Sequence, residues 1–142
     1  MEIFKEFTIE AAHCLPNVPA GHKCGRLHGH SFRVEIHVRG PVSDSAGWVI
    51  DFSDIKKAFQ PLHDELDHNY LNEIDGLANP TSENLSRWIW KRLIPVLPLS
   101  RIIVGRDGWG IRHGGLVTPT VLVFSLERIQ MMDGPVVRIW RR

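Results

Sequence analysis

The 142-residue chain is poor in several things at once. Its two cysteines, Cys14 and Cys24, are too few for a disulfide scaffold, which excludes the small disulfide-stapled secreted class. A reducing compartment, the cytoplasm, is the expectation. Net charge is nearly absent: 17 Lys and Arg against 16 Asp and Glu leave +1. That balance gives no electrostatic footprint for nucleic acid or an anionic membrane surface. Apolar runs fall far short of the roughly 20 residues that span a bilayer. Met1-Glu2 does not open like a signal peptide. There is no internal repeat and no low-complexity stretch.

What is present suits one domain, since 43% hydrophobic residues can supply a core. Residues 2–12 alternate with Ile3, Phe7 and Ile9 on one face and Phe4 out of phase, which predicts a strand. Residues 14–27 hold two prolines and two glycines and read as a loop. Phe32, Val34, Ile36 and Val38 alternate cleanly, so residues 30–39 form a half-buried antiparallel strand that Gly40-Pro41 ends. Trp48-Val49-Ile50 suggests another extended run.

From Ser53 the period becomes helical, with Ile55, Ala58, Phe59 and Leu62 on one side and Ser53 or Asp54 as the cap. Pro61 is expected to interrupt or kink this helix. Thr81 or Ser82 caps a second helix that buries Leu85, Trp88, Ile89 and Leu93 and stops at Pro95 and Pro98. Arg101 to Val104 is a further strand. The fold class is α+β, with helices on one face of a sheet.

Eight histidines are generous for this length, and their placement carries the chemistry. In an extended chain, residues two apart point the same way, so His28 and His30 can converge on one point. Gly29 is expected to keep the space between them open. His13 can join as a third ligand if the first two strands are neighbours. Three neutral imidazoles with an open fourth position are the usual layout of a catalytic zinc site. The competing reading is that these are ordinary satisfied histidines. Cys24, beside Lys23 and Arg26, can serve as a base or nucleophile, although inert buried cysteines are commoner. Cys14 has only the inert reading. Asp67 and His68 are sequence neighbours, whose side chains ordinarily diverge. His68 is either a proton relay reaching Cys24 or a helix-end histidine stabilising the dipole.

Several runs coincide with one family. They are Glu10-Ala11-Ala12-His13, the stretch Gly21-His22-Lys23-Cys24-Gly25-Arg26-Leu27-His28-Gly29-His30, and Gly47-Trp48-Val49-Ile50-Asp51-Phe52. Leu66-Asp67-His68-Asn69-Tyr70-Leu71-Asn72 and Asn79-Pro80-Thr81-Ser82-Glu83 continue the match. Over residues 2–104 the chain closely resembles the 6-pyruvoyl-tetrahydropterin synthase / 6-carboxytetrahydropterin synthase family. The three residues between Cys24 and His28 resemble the bacterial carboxytetrahydropterin branch, since the animal pyruvoyl enzymes have a longer gap. The resemblance implies a tunnelling fold, an antiparallel sheet with two helices on one face. It also implies assembly into an oligomeric barrel, usually a dimer of trimers, with active sites between subunits. The implied reaction converts dihydroneopterin triphosphate to 6-carboxytetrahydropterin, acetaldehyde and triphosphate, on the way to 7-deazaguanines such as queuosine. His13, His28 and His30 would hold Zn²⁺, Cys24 would be the base, His68 the relay and Asp67 its orienting partner.

The resemblance breaks near residue 104. The family carries Glu-Thr two residues after this strand, and the glutamate anchors the pterin ring. Here Arg106 and Asp107 stand there, and an arginine accepts no hydrogen bond. In a strand, Asp107 would point to the opposite face. Composition changes too. Residues 1–104 hold 11 basic and 13 acidic side chains, whereas residues 105–142 hold 6 and 3, with no lysine. Read one base later, the Arg106 and Asp107 codons can give Glu-Thr, and the Val117 and Thr118 codons a stop. Residues 105–142 are therefore expected to be a frameshifted tail, with the family domain ending near residue 116. The alternative is a genuine divergent ending, in which Val121–Phe124 forms a strand and Arg141-Arg142 is a solvated end.

Overall fold

The alternating stretches become paired strands. A computed structural model describes residues 1–106, 121–125 and 138–140. Strand β1 (Glu2–His13) and strand β2 (His28–Arg39) pair antiparallel in unbroken register, from Glu2 opposite Arg39 to His13 opposite His28. Strand β3 (Leu99–Arg106) lies on the other side of β2, with Phe32 opposite Arg106 and Val34 opposite Val104. It runs through Arg106, past the boundary drawn at residue 104. Strands β4 (Val121–Ser125) and β5 (Arg138–Trp140) complete a five-stranded sheet in the order β1-β2-β3-β4-β5. A strand thus occurs at Val121–Phe124. Asp107, Val117, Thr118, Arg141 and Arg142 lie outside the described residues.

Helix α1 (Phe52–Leu66) and helix α2 (Ser82–Leu93) cover one face of the sheet. Their buried sides carry Ile55, Phe59, Leu62 and Leu66 on α1, and Leu85, Trp88, Ile89 and Leu93 on α2. These meet Ile9, Phe32, Val34, Ile36, Val38, Ile102 and Val104 from the sheet. The strong alternation of β2 therefore reports which face the helices cover. Phe4, out of phase, is exposed on the other face and stacks on His37 with ring centroids 4.8 Å apart.

Three local expectations are corrected. The cap of α1 is Asp51, whose carboxylate accepts from the Ser53 amide at 2.7 Å, not Ser53 or Asp54. An acceptor one residue before the first helical position reaches the unbonded amides better than one inside the helix. Pro61 does not interrupt α1. It sits on the exposed side, where water can satisfy the Lys57 carbonyl that loses its amide partner. Trp48–Ile50 forms bends rather than a strand, leaving Trp48 exposed. The cap of α2 is Thr81, accepting from the Asn84 amide at 3.2 Å. Among the described residues, no helix is long and apolar enough to cross a membrane.

Candidate metal centre

The sheet register alone assembles the histidines. β2 begins at His28, so both His28 and His30 lie within the strand, opposite His13 and Ala11 of β1. All three imidazoles emerge on the helix-covered face, beyond the end of the apolar core. Their centroids lie 4.6 Å (His13–His28), 5.2 Å (His13–His30) and 4.9 Å (His28–His30) apart. Phe32 supports the group from below, edge-on to His13 and His30. Gly29 does not hold the rings apart, because alternation puts it on the opposite face. A Cβ there would make only an ordinary 3.6 Å contact with the Ala11 carbonyl.

Hydrogen bonding fixes the tautomers. His13 Nδ1 lies 2.9 Å from the Pro80 carbonyl, and His28 Nδ1 lies 2.7 Å from the Arg26 carbonyl. A carbonyl only accepts, so each Nδ1 carries the hydrogen and donates it. In the neutral ring each Nε2 is then a bare lone pair. Nε2 of His13 and of His28 is buried with no hydrogen-bond partner among the described residues, and Nε2 of His30 is buried beside them. One ring nitrogen from each residue lies within 4.8 Å of the other two. Burial holds His13 below its ordinary pKa, reinforced by the neighbouring His28, His30 and Arg106 and opposed by the bond to Pro80. That shift favours the neutral, ligating form. Buried lone pairs with no donor are costly unless something fills the space between them, and a cation with nitrogen preference fits. Ordinary satisfied histidines do not describe this group.

Asp67 and His68 do converge, contrary to the divergence expected of sequence neighbours. His68 adopts a left-handed backbone (φ +56°), which turns its ring back on the preceding carboxylate. Its Nδ1 lies 2.8 Å from Asp67 Oδ2. A left-handed conformation costs a non-glycine residue about 1–2 kcal/mol. Two hydrogen bonds to the backbone of β1 offset it at about 0.5–1.5 kcal/mol each. The Glu10 amide donates to Asp67 Oδ1 at 2.8 Å, and the His68 amide donates to the Glu10 carbonyl. The Glu10 amide is the main cause holding the Asp67 carboxyl below its usual range, with burial opposing it and His68 adding to it. His63, rather than His68, is the basic residue in the last turn of α1.

His68 and one member of the triad, His30, share one open depression of about 470 Å³. It is lined by Glu10, His30, Ser31, His68 and Tyr70, among others. Cys24 does not line it. Half-buried, Cys24 sits in a turn (Lys23–Gly25) whose carbonyl at Cys24 accepts from the Leu15 amide at 2.8 Å. Within one chain the structure brings together His13, His28 and His30, and separately Asp67 and His68. Arg106 lies on the triad's face of the sheet, opposite Phe32. Sequence reasoning missed Asn72, Pro80 and Tyr70 as supports: Asn72 bonds the Cys14 backbone, Pro80 acts through its own carbonyl, and Tyr70 contacts the Cys14 thiol. Tyr70 Oη lies 3.1 Å from Cys14 Sγ.

A family model described as 6-pyruvoyl tetrahydropterin synthase matches residues 2–106. The chain belongs to this family. Over 96 residues it is 46% identical to a 6-carboxy-5,6,7,8-tetrahydropterin synthase of Synechocystis, spanning 64% of this chain and 73% of that one. It is 43% identical over 72 residues to a dihydroneopterin monophosphate aldolase of Pyrococcus furiosus, covering 51% of this chain and 60% of the relative. In fold it is similar to the 6-pyruvoyl tetrahydropterin synthase of Caenorhabditis elegans, with a TM-score of 0.70 at 22% identity over 76% of this chain and 89% of that one. The family match ends where β3 ends.

Proposed function

We propose that the chain is a zinc-dependent 6-carboxytetrahydropterin synthase. It converts 7,8-dihydroneopterin triphosphate to 6-carboxy-5,6,7,8-tetrahydropterin, acetaldehyde and triphosphate, in 7-deazaguanine (queuosine-type) biosynthesis in the cytoplasm. The observation that carries this reading is the histidine triad, in which the bare, buried Nε2 atoms of His13 and His28 meet the buried ring of His30. The 46% identity to a protein of that name supports the choice of reaction.

His13, His28 and His30 would hold the ion. Bound there, zinc supplies a Lewis acid that acidifies the substrate's side-chain hydroxyls. His68 moves the proton. Asp67, ionised and already accepting from the Glu10 amide, holds the Nδ1 hydrogen of His68 and leaves Nε2 to exchange protons with substrate. Cys24 is the base. On this reading Cys24, which does not line the depression that His68 lines, would act from a neighbouring subunit of a homo-oligomer, a dimer of trimers.

Incubating the zinc-loaded protein with 7,8-dihydroneopterin triphosphate tests the reading. Acetaldehyde and 6-carboxytetrahydropterin are expected. A pyruvoyl product without acetaldehyde would instead make the chain a 6-pyruvoyltetrahydropterin synthase. One observation favours a second reading, a zinc-binding oligomer impaired in turnover: Arg106, at the position of the family's pterin-anchoring glutamate, cannot accept from the pterin's N–H groups. No product despite bound zinc, with turnover restored by Arg106→Glu, would establish that reading. For residues 105–142 we propose a reading-frame shift after the domain of residues 1–104, on the coincidence of changed composition, lost glutamate and recoverable stop. The nucleotide sequence decides: the idea fails if no single-base change restores both Glu-Thr and the stop.

A further inference from the structure

The segment between the two helices does more than connect them. Residues 67–72 lace along the last residues of β1. Asp67 and His68 bond the Glu10 backbone, the Asn69 carbonyl accepts from the Ala12 amide at 3.1 Å, and Asn72 takes Cys14. The last of these is a two-point clamp. Asn72 Oδ1 accepts from the Cys14 amide at 2.9 Å, and Nδ2 donates to the Cys14 carbonyl at 2.9 Å. The same Nδ2 donates to the Ala78 carbonyl at 3.2 Å. Ala78 lies two residues before Pro80, whose carbonyl holds the His13 ring.

His13 is therefore gripped from two sides, its ring by Pro80 and the peptide that follows it by Asn72. One amide side chain sets the distance between these two grips. We propose that Asn72 is a positioning residue for the metal centre, fixing where the His13 lone pair points relative to those of His28 and His30. This rests on the zinc reading above. Hydrogen-bonding partners that orient ligands ordinarily matter about 10–100-fold in metal affinity. Asn72 has the geometry of such a partner, acting through backbone rather than through the imidazole itself.

The test uses the full-length chain and two readouts: zinc affinity by competition with a chromogenic chelator, and the visible d–d spectrum of the cobalt(II)-substituted protein. Asn72→Ala is expected to weaken zinc binding about 10-fold or more and to change the cobalt spectrum. Trp88→Phe is the control for general loosening of the same segment, because it removes the Trp88 indole bond to the Asp75 carbonyl and leaves the clamp intact. It is expected to lower the thermal midpoint of the metal-free protein while leaving zinc affinity within about twofold. If Asn72→Ala does not fold, Asn72→Asp takes its place, because it keeps the acceptor, loses both donor bonds and should show the same losses. Wild-type affinity and an unchanged spectrum in the folded Asn72 variant would overturn the proposal. So would an equal loss of affinity in Trp88→Phe. Failure of the unmutated chain to take up zinc would instead overturn the metal reading on which the proposal stands.

Discussion

The histidine triad and the Asp67–His68 pair both lean on the second half of β1, yet they are built in opposite ways. The triad stands on two hydrogen-bonded strands, with His13 1% exposed and two of its tautomers set by carbonyls. The pair stands on a loop beyond α1, and the His68 side chain is 78% exposed. Register alone aligns the triad. The pair needs a left-handed residue and two bonds to the Glu10 backbone to bring adjacent side chains together. A group that must hold an ion gains from burial and fixed lone pairs, whereas a group that must exchange protons with a bound molecule has to remain reachable. On the proposed reading, the difference in construction separates holding from proton transfer.

Variants at the two places should divide accordingly, and the largest effect belongs to the triad. His28→Ala removes a ligand outright, so zinc affinity should fall by more than the 10–100-fold typical of outer partners, and turnover should fall with it. His68→Gln should leave zinc affinity unchanged and lower turnover by about 10²–10⁴-fold. A His68→Gln protein that loses zinc would show that the two regions are one site.

A smaller effect concerns pH. The folded-state pKa of Asp67 is depressed, so its contribution to stability is present above the ordinary carboxylate value, about 3.9, and is lost as pH falls through the folded value. In metal-free protein, the urea midpoint of Asp67→Asn should therefore lie below that of the unmutated chain near neutrality. The gap should close in acid. A gap that stays constant from about pH 7 down to about pH 3 would contradict the carboxylate's role in securing the loop.

Much of this was legible in the residues. Alternation in β2 and the helical spacing of Leu85, Trp88, Ile89 and Leu93 give the sheet face and the helix face directly, and His28-Gly29-His30 within an alternating strand puts two imidazoles on one side. The remainder was not, for physical reasons. The supports of the site are backbone groups 57, 58 and 67 residues away along the chain, at Glu10–Asp67, Cys14–Asn72 and His13–Pro80. No side-chain pattern encodes a carbonyl that accepts from an imidazole. The left-handed turn at His68 carries no glycine to mark it. Gly29, by contrast, drew attention for the wrong reason, since alternation directs it away from the rings it separates in sequence.

The claim that the triad holds a metal while His68 serves the proton is tested most directly by the zinc-to-chain ratio after loading and dialysis. The unmutated chain and His68→Gln should each retain one zinc per chain, and His28→Ala none. Retention by His28→Ala, or loss from the unmutated chain, would contradict the account.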